Sequence, residues 1–348
     1  MTSLIRQGDR SRQVLDVQTR LRQAGIELTD EPGHFGCPTE HALRAFQQRR
    51  GIMADGIVGW HTWAELVEAS WRLGDRSLYL TSPLVRGDDV LALQARLNAL
   101  GYDAGREDGI FGRDTADAVR SFQGEYGIPE DGICGSRTYA ALVGLRTDRP
   151  DTAAHLREEL SRRERGGLHG VMVAVDPGHG GPDLGTVGPS GACEADLCWD
   201  LAQKLAARLA GVGARVRFTR AEPEDLDMTA RARRANDIGA ELFVSLHLNA
   251  HDQEPAEGAS TYFFPRSGAG ELLAGRILDH LVDLGLRDCR SHARSYTVLK
   301  ETRMPAVIVE PGFITNPDDA KKLEDRDFRG FVADAIAAAV RDYYEGFD

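Results

Sequence analysis

The most constraining feature of this sequence is a duplication that fills its first 148 residues. Gln18 matches Gln94, Gly25 matches Gly101, Phe35-Gly36 matches Phe111-Gly112, and Phe46-Gln47 matches Phe122-Gln123. Asp55-Gly56-Ile57 matches Asp131-Gly132-Ile133, and Gly59 and Thr62 match Gly135 and Thr138, every pair offset by 76 without a gap. A duplication at this period means two copies of one small supersecondary unit. In each copy Val14, Val17 and Leu21 (then Val90, Leu93 and Leu97) recur at i, i+3, i+7, which predicts an amphipathic helix ending at Gly25 or Gly101. A second helix is expected through "TEHALRAFQQRRG" and "RDTADAVRSFQGEYG", and the "DGIVG" and "DGICG" turns lead into a short third. The expectation is two three-helix modules, over 1–75 and 76–148. No acid, base or nucleophile pair recurs in both copies, so these are binding modules rather than enzymes.

Residues 149–169 are charged, with Pro150 near one end and Gly166-Gly167 near the other, and are expected to form a linker with one solvated helix. From residue 170 to 348 the pattern changes. Apolar runs "VMVAVD", "ARVRFTR", "ELFVSLHLN", "ASTYFF" and "AVIVEPG" alternate with helical stretches "EADLCWDLAQKLAARLAG", "DMTARARRANDIGA" and "GELLAGRILDHLVDLG". Such alternation predicts an α/β domain, a mainly parallel sheet with helices on both faces. Ligands of such folds sit beyond the carboxyl ends of the strands.

At the end of the first strand, "VAVDPGHGGPDLG" offers a glycine-rich loop around His179. The phosphate-binding templates fail there: no Lys follows the glycines, and Asp183 stands where a dinucleotide loop needs its third glycine. His179 is left as the distinctive group. His247 approaches the carboxyl end of a second strand, where Phe243, Ser245, His247 and Asn249 share one face. Glu194 opens a helix with an apolar stripe at Leu197, Leu201, Leu205 and Leu209, and so faces the sheet. A carboxylate there either binds a cation or complements the helix N-terminus; Asp183 and Asp196 are weaker candidates. Glu310 ends the run "AVIVE". Two histidines, one carboxylate and an open position suit a catalytic zinc, with a further carboxylate as general base and acid.

"AFQQRRGIMADGIVGWHTWAEL" and "SFQGEYGIPEDGICGSRTYAAL" resemble the peptidoglycan-binding repeat found beside many cell-wall hydrolases. "VDPGHGG", Glu194 fifteen residues after His179, "RARRANDIGAELFVSLHLNA" and "MPAVIVEPGFITN" resemble, in order and over about 175 residues, the zinc-dependent N-acetylmuramoyl-L-alanine amidases of the amidase 3 family. The resemblance implies His179, Glu194 and His247 as zinc ligands and Glu310 as catalytic glutamate. It also implies Asn249, Arg231 and Lys300 as groups supporting the site or touching substrate, Asn236 as structural, and peptidoglycan or muropeptides as partner. Leu248 and Pro311 depart from the family pattern, and Pro311 puts the reach of Glu310 in question.

Charge and hydropathy narrow the alternatives. A net charge of −12 excludes a general nucleic-acid footprint, and no apolar run reaches the roughly 18 residues of a membrane span. Five cysteines without a Cys-x-x-Cys pair suggest free thiols in a reducing compartment. The opening "MTSLIRQGDRSRQ" lacks the apolar core of a signal peptide, so a cytoplasmic location is expected, with non-classical export or lysis-dependent release, as by a phage lysin, as the alternative. Two repeats ahead of an unexported amidase domain resemble the actinobacterial CwlM group, which implies a rival function: a cytoplasmic, non-cleaving regulator of wall synthesis that keeps the amidase fold. All four key residues are present here, which argues against simple loss of catalysis.

Overall fold

The structure, a computed structural model, describes residues 4–145, 166–251 and 256–346. The chain divides into two compact units, residues 1–157 and 158–348. The solvated helix expected in the linker lies outside the described residues, as does most of the linker itself.

The first unit carries α1 (Arg12–Gln23), α2 (Cys37–Arg50), α3 (Trp60–Glu68), α4 (Asp88–Ala99), α5 (Arg113–Glu125) and α6 (Ser136–Gly144). The sequence stripe is the core: Val14, Val17 and Leu21 meet Leu43, Phe46 and Leu66, and Val90, Leu93 and Leu97 meet Val119, Phe122 and Leu142. Inside each module the structure shows a second level of repetition, absent from the sequence expectation. The pattern Gly-x-x-Gly-x-x-Thr occurs four times, at Gly33–Thr39, Gly56–Thr62, Gly109–Thr115 and Gly132–Thr138. A buried glutamine serves each copy. Gln47 accepts from the Gly56 N–H (2.9 Å) and donates to Asp55, the Ile57 carbonyl and Thr62. Gln18, Gln94 and Gln123 do the equivalent. A buried amide must find partners for all its polar atoms, and here those partners pin the turn that starts the next helix.

The second unit runs β1 (Met172–Pro177), α7 (Glu194–Gly211), β2 (Arg215–Phe218), α8 (Met228–Asp237), β3 (Leu242–Leu246), β4 (Ala259–Phe263), α9 (Gly268–Asp283), β5 (Asp288–Ala293), α10 (Thr297–Glu301), β6 (Ala306–Glu310), α11 (Pro317–Glu324) and α12 (Arg326–Glu345). The strands form one sheet in the order β2-β1-β3-β6-β4-β5. Every junction is parallel except β4 with β6, so the mainly parallel sheet holds. Alternation sorts the layers: Val173, Val175, Leu242, Val244, Val307 and Val309 pack under α7, α9 and α12. Met172, Ala174, Phe243, Ala306 and Ile308 pack on the other face, against α8 and α10. The edge strand β5, "DCRSHA", was not anticipated; it is polar and half-exposed along its length, so it carries no apolar signal.

Candidate metal centre and catalytic carboxylate

The site follows from topology. β1, β3 and β6 are neighbouring parallel strands, so their carboxyl ends leave the sheet on one edge. β1 leads to His179, β3 leads to His247, and β6 ends on Glu310. β3 itself stops at Leu246; His247 and Asn249 lie beyond it, with their N–H groups still donating to the Val309 and Gly312 carbonyls. Glu194 starts α7 and is only 3% exposed. The inward stripe of α7 differs slightly from expectation: Cys198, not Leu197, is the fully buried residue after Glu194.

The side chains converge. His179 Nε2 lies 3.1 Å from Glu194 Oε1, and His247 Nδ1 lies 3.2 Å from the same oxygen. One ligand atom from each of the three residues lies within 4.8 Å of the others. Two backbone donors fix the carboxylate, Leu248 N–H on Oε1 (2.9 Å) and Thr186 N–H on Oε2 (3.0 Å). Burial opposes its charge, but these donors and the two imidazoles outweigh it and hold Glu194 far below the usual carboxylate range. His179 Nδ1 faces Asp183 Oδ2 at 2.9 Å. Both ring nitrogens therefore face carboxylates, Nδ1 that of Asp183 and Nε2 that of Glu194. Burial disfavours the imidazolium, yet the Glu194 and Asp183 carboxylates raise its pKa above the ordinary histidine value.

These residues fit zinc. The donor set is two imidazoles and a carboxylate, and the ring-orienting Asp183 is the partner a metal-bound histidine ordinarily has. Ligands at ~2.0–2.1 Å around a tetrahedral ion stand about 3.3 Å apart, close to the 3.1 and 3.2 Å separations here. Among the described residues, His247 Nε2 is buried without a hydrogen-bond partner.

The loop bearing His179 is held from beneath. His179 has φ 54°, a left-handed conformation that costs a non-glycine residue about 1–2 kcal/mol. Arg231 donates to the carbonyls of Pro177 (2.6 Å) and His179 (2.8 Å), and Arg220 to those of Pro177 (2.9 Å) and Gly178 (3.1 Å). Asp176 neutralises Arg231 at 3.0 Å and accepts from Ser245 and Thr219. Close approach also demands two glycines. A Cβ on Gly178 would meet His247 Nδ1 at 2.7 Å, and one on Gly185 would meet His179 and Glu194 below 3 Å.

Glu310 ends β6 and is part-buried there. Burial raises its pKa above the ordinary glutamate value, against the opposing pull of His247, Tyr262 and Ser260. Ser260 donates to Oε2 (3.2 Å), and Asn249 Nδ2 donates to Ser260 (3.2 Å), so Asn249 reaches Glu310 through a hydroxyl. Pro311 leaves Glu310 at the end of β6. Leu248 fills a small apolar cluster with Cys198, Ile314 and Leu323.

Of the other sequence candidates, Arg231 supports the loop and touches no ligand side chain. Asn236 ties the end of α10 through the Glu301 carbonyl and the Arg303 N–H. Lys300 lies on α10 and is 8% exposed. Asp196, in the first turn of α7, is exposed. Sequence reasoning missed Arg220, Ser260 and Tyr262; the one signal for Arg220 was its position at the end of "ARVRFTR", beside the end of β1.

Sheet order, converging ligands and buried carboxylate define a class, and the comparisons agree: the chain belongs to the N-acetylmuramoyl-L-alanine amidases. Residues 173–342 match that family, and residues 10–66 and 86–142 each match the putative peptidoglycan binding domain. The N-acetylmuramoyl-L-alanine amidase CwlM of Mycobacterium tuberculosis is 39% identical over 98% of this chain and 89% of its own length. LytC of Bacillus subtilis, also an N-acetylmuramoyl-L-alanine amidase, is 33% identical over 50% of this chain and 36% of its own. A solved N-acetylmuramoyl-L-alanine amidase from Clostridium difficile 630 is 31% identical, covering 49% of this chain and 95% of that one, with a TM-score of 0.48.

Proposed function

We propose that this amidase is a zinc-dependent hydrolase that cuts the amide between the lactyl group of N-acetylmuramic acid and L-alanine. In this assignment His179, Glu194 and His247 hold the metal and Glu310 moves the proton. The observation that carries it is the convergence of two imidazoles on one oxygen of a buried carboxylate, beside a second carboxylate outside that set. Zinc held there supplies Lewis-acid chemistry, acidifying water and polarising the amide carbonyl.

The chain's own groups do the rest. Asp183 holds His179 in one tautomer and one orientation. Arg231 and Arg220 keep the His179 loop from relaxing out of its left-handed turn. Glu310, its proton affinity raised by burial, takes the proton of the attacking water on a carboxylate oxygen and returns it to the leaving nitrogen. Ser260, steadied by Asn249, keeps that carboxylate in place. The two N-terminal repeats hold the chain on peptidoglycan and raise the local concentration of the catalytic unit there.

The test is to measure bound metal and release of free stem peptide from peptidoglycan. One zinc per chain is expected. Glu310→Gln should keep the zinc and lose cleavage by about 10²–10⁴-fold, the usual worth of a general acid–base group. Wild-type zinc content in His179→Ala would refute the ligand set, and a zinc-loaded wild type that releases no peptide would refute the activity.

A further inference from the structure

The contact between the two N-terminal repeats carries a site of its own. Arg50, at the end of α2, reaches Glu65 of its own module at 2.7 Å and Asp88, the first residue of α4 in the second module, at 2.8 Å. The segment after α3 crosses over as well: Ala69 packs on the first core and Leu73 on the second. Between them lies a cleft of about 490 Å³.

Its chemistry is mixed. The apolar lining comes from Phe46, Trp71, Leu73 and the small residues Ala24, Ala69 and Ala92. Arg49, Arg50 and Arg72 bring three guanidinium groups, with Asp88 as the one carboxylate of the lining. Arg50 spends its charge on Glu65 and Asp88. Arg49 and Arg72 do not: both are exposed, and among the described residues neither guanidinium has a carboxylate partner. Among the described residues the Arg72 guanidinium makes only a 3.4 Å contact, with the Gln23 carbonyl. Two uncommitted cations beside an apolar floor stand out on a chain of net charge −12.

We propose that this inter-repeat cleft is the wall-binding site of the N-terminal unit, and that it takes the anionic, alanine-bearing stem peptide rather than the sugar backbone. The inference rests on the proposal that the repeats bind peptidoglycan. Stem peptides combine free carboxylates, matched to Arg49 and Arg72, with the methyl groups of alanine, matched to the small apolar lining. A sugar backbone offers chiefly hydroxyl and acetamido groups, and the lining provides few neutral hydrogen-bonding side chains to meet them. Since the walls come from both modules, one repeat alone lacks the site. The chain would then hold to strands that still carry the peptide its catalytic unit removes, and release those already stripped.

The test uses the full chain carrying Glu310→Gln, so that nothing is cut during the measurement. Sedimentation with intact sacculi is compared with sacculi stripped of stem peptides, and soluble stem peptide is added as competitor. Intact sacculi should carry the chain down, stem peptide should compete, and added salt should weaken binding. Adding Arg49→Glu and Arg72→Glu should weaken binding by about tenfold or more, while Arg49→Lys and Arg72→Lys should retain most of it. Both side chains are exposed, so the melting temperature should not move, and a lowered one would assign the loss to folding and leave the lysine pair to decide. Equal sedimentation of the charge-reversed chain, or equal binding to stripped sacculi, overturns the site while leaving wall binding intact. A chain that sediments with neither form overturns the wall-binding proposal itself, and this one with it.

Discussion

Gly178→Ala is the sharpest probe of how the fold builds the proposed metal centre. Gly178 has no left-handed requirement, so a methyl group there acts through space alone. That methyl would lie 2.6 Å from His247 Cε1, 2.7 Å from His247 Nδ1 and 2.8 Å from the Leu246 carbonyl oxygen. Carbon contacts are comfortable near 3.5 Å or more, so each approach is too close by roughly 0.7–0.9 Å. The Leu246 carbonyl cannot retreat easily, because it ends β3 between β1 and β6 and accepts from the Gly178 N–H at 2.8 Å. The overlap must be relieved by turning the His247 ring or lifting the loop that carries His179. The first motion opens the 3.2 Å contact of His247 on Glu194, and the second opens the 3.1 Å contact of His179. Overpacking of this kind costs about 1–3 kcal/mol of stability, which a folded domain survives. Metal binding tolerates such displacement less well, and an affinity loss of at least 10–100-fold is expected, as when groups around a metal site are disturbed. The assay pairs urea unfolding of the metal-free protein with zinc content after dialysis against a competing chelator. A Gly178→Ala chain that is folded and holds zinc as tightly as wild type would refute the placement of His247 in the centre.

Three further outcomes follow from the geometry. Asp183→Asn keeps the shape but removes the charge facing His179 Nδ1, so zinc affinity should fall about 10–100-fold without being abolished, as read by chelator competition. Arg231→Met removes the ion-pair partner of buried Asp176 and frees the His179 carbonyl; a loss of about 3–5 kcal/mol is expected in denaturant titration, and a change below 1 kcal/mol would deny Arg231 its structural role. Gln123→Leu strands the Gly132 N–H inside the second module, costing about 1–3 kcal/mol in thermal or urea unfolding, with the zinc content of the catalytic unit unchanged.

Much of the architecture was legible because it is written in periodicity. The stripe at Val14, Val17 and Leu21 and its copy at Val90, Leu93 and Leu97 are cores because burial follows helical spacing. The two faces of β3 separate as alternation requires, Leu242, Val244 and Leu246 from Phe243. The half-repeat inside each module escaped notice because the glutamine stands 15 residues before its glycine in one half and 9 in the other. α12 carries an apolar stripe at Val332, Ile336, Val340 and Tyr343 and could have been read; β5, polar and at the sheet edge, could not.

The sequence alone could nominate His179, Glu194, His247 and Glu310, since residue type and position at a strand or helix end are local properties. It left Glu194 balanced between complementing a helix terminus and facing a cation, because spacing specifies a face but not what lies opposite. The tertiary structure sets two imidazoles opposite it. The order β1-β3-β6 sets residues 131 positions apart, His179 and Glu310, on one edge of the sheet, and α7 brings Glu194 down onto both imidazoles. Likewise Asp183, a weak candidate by pattern, became the partner of His179. Which side chains touch depends on how strands are ordered across the sheet, and hydrogen bonding between distant segments sets that order, not the local run of residues.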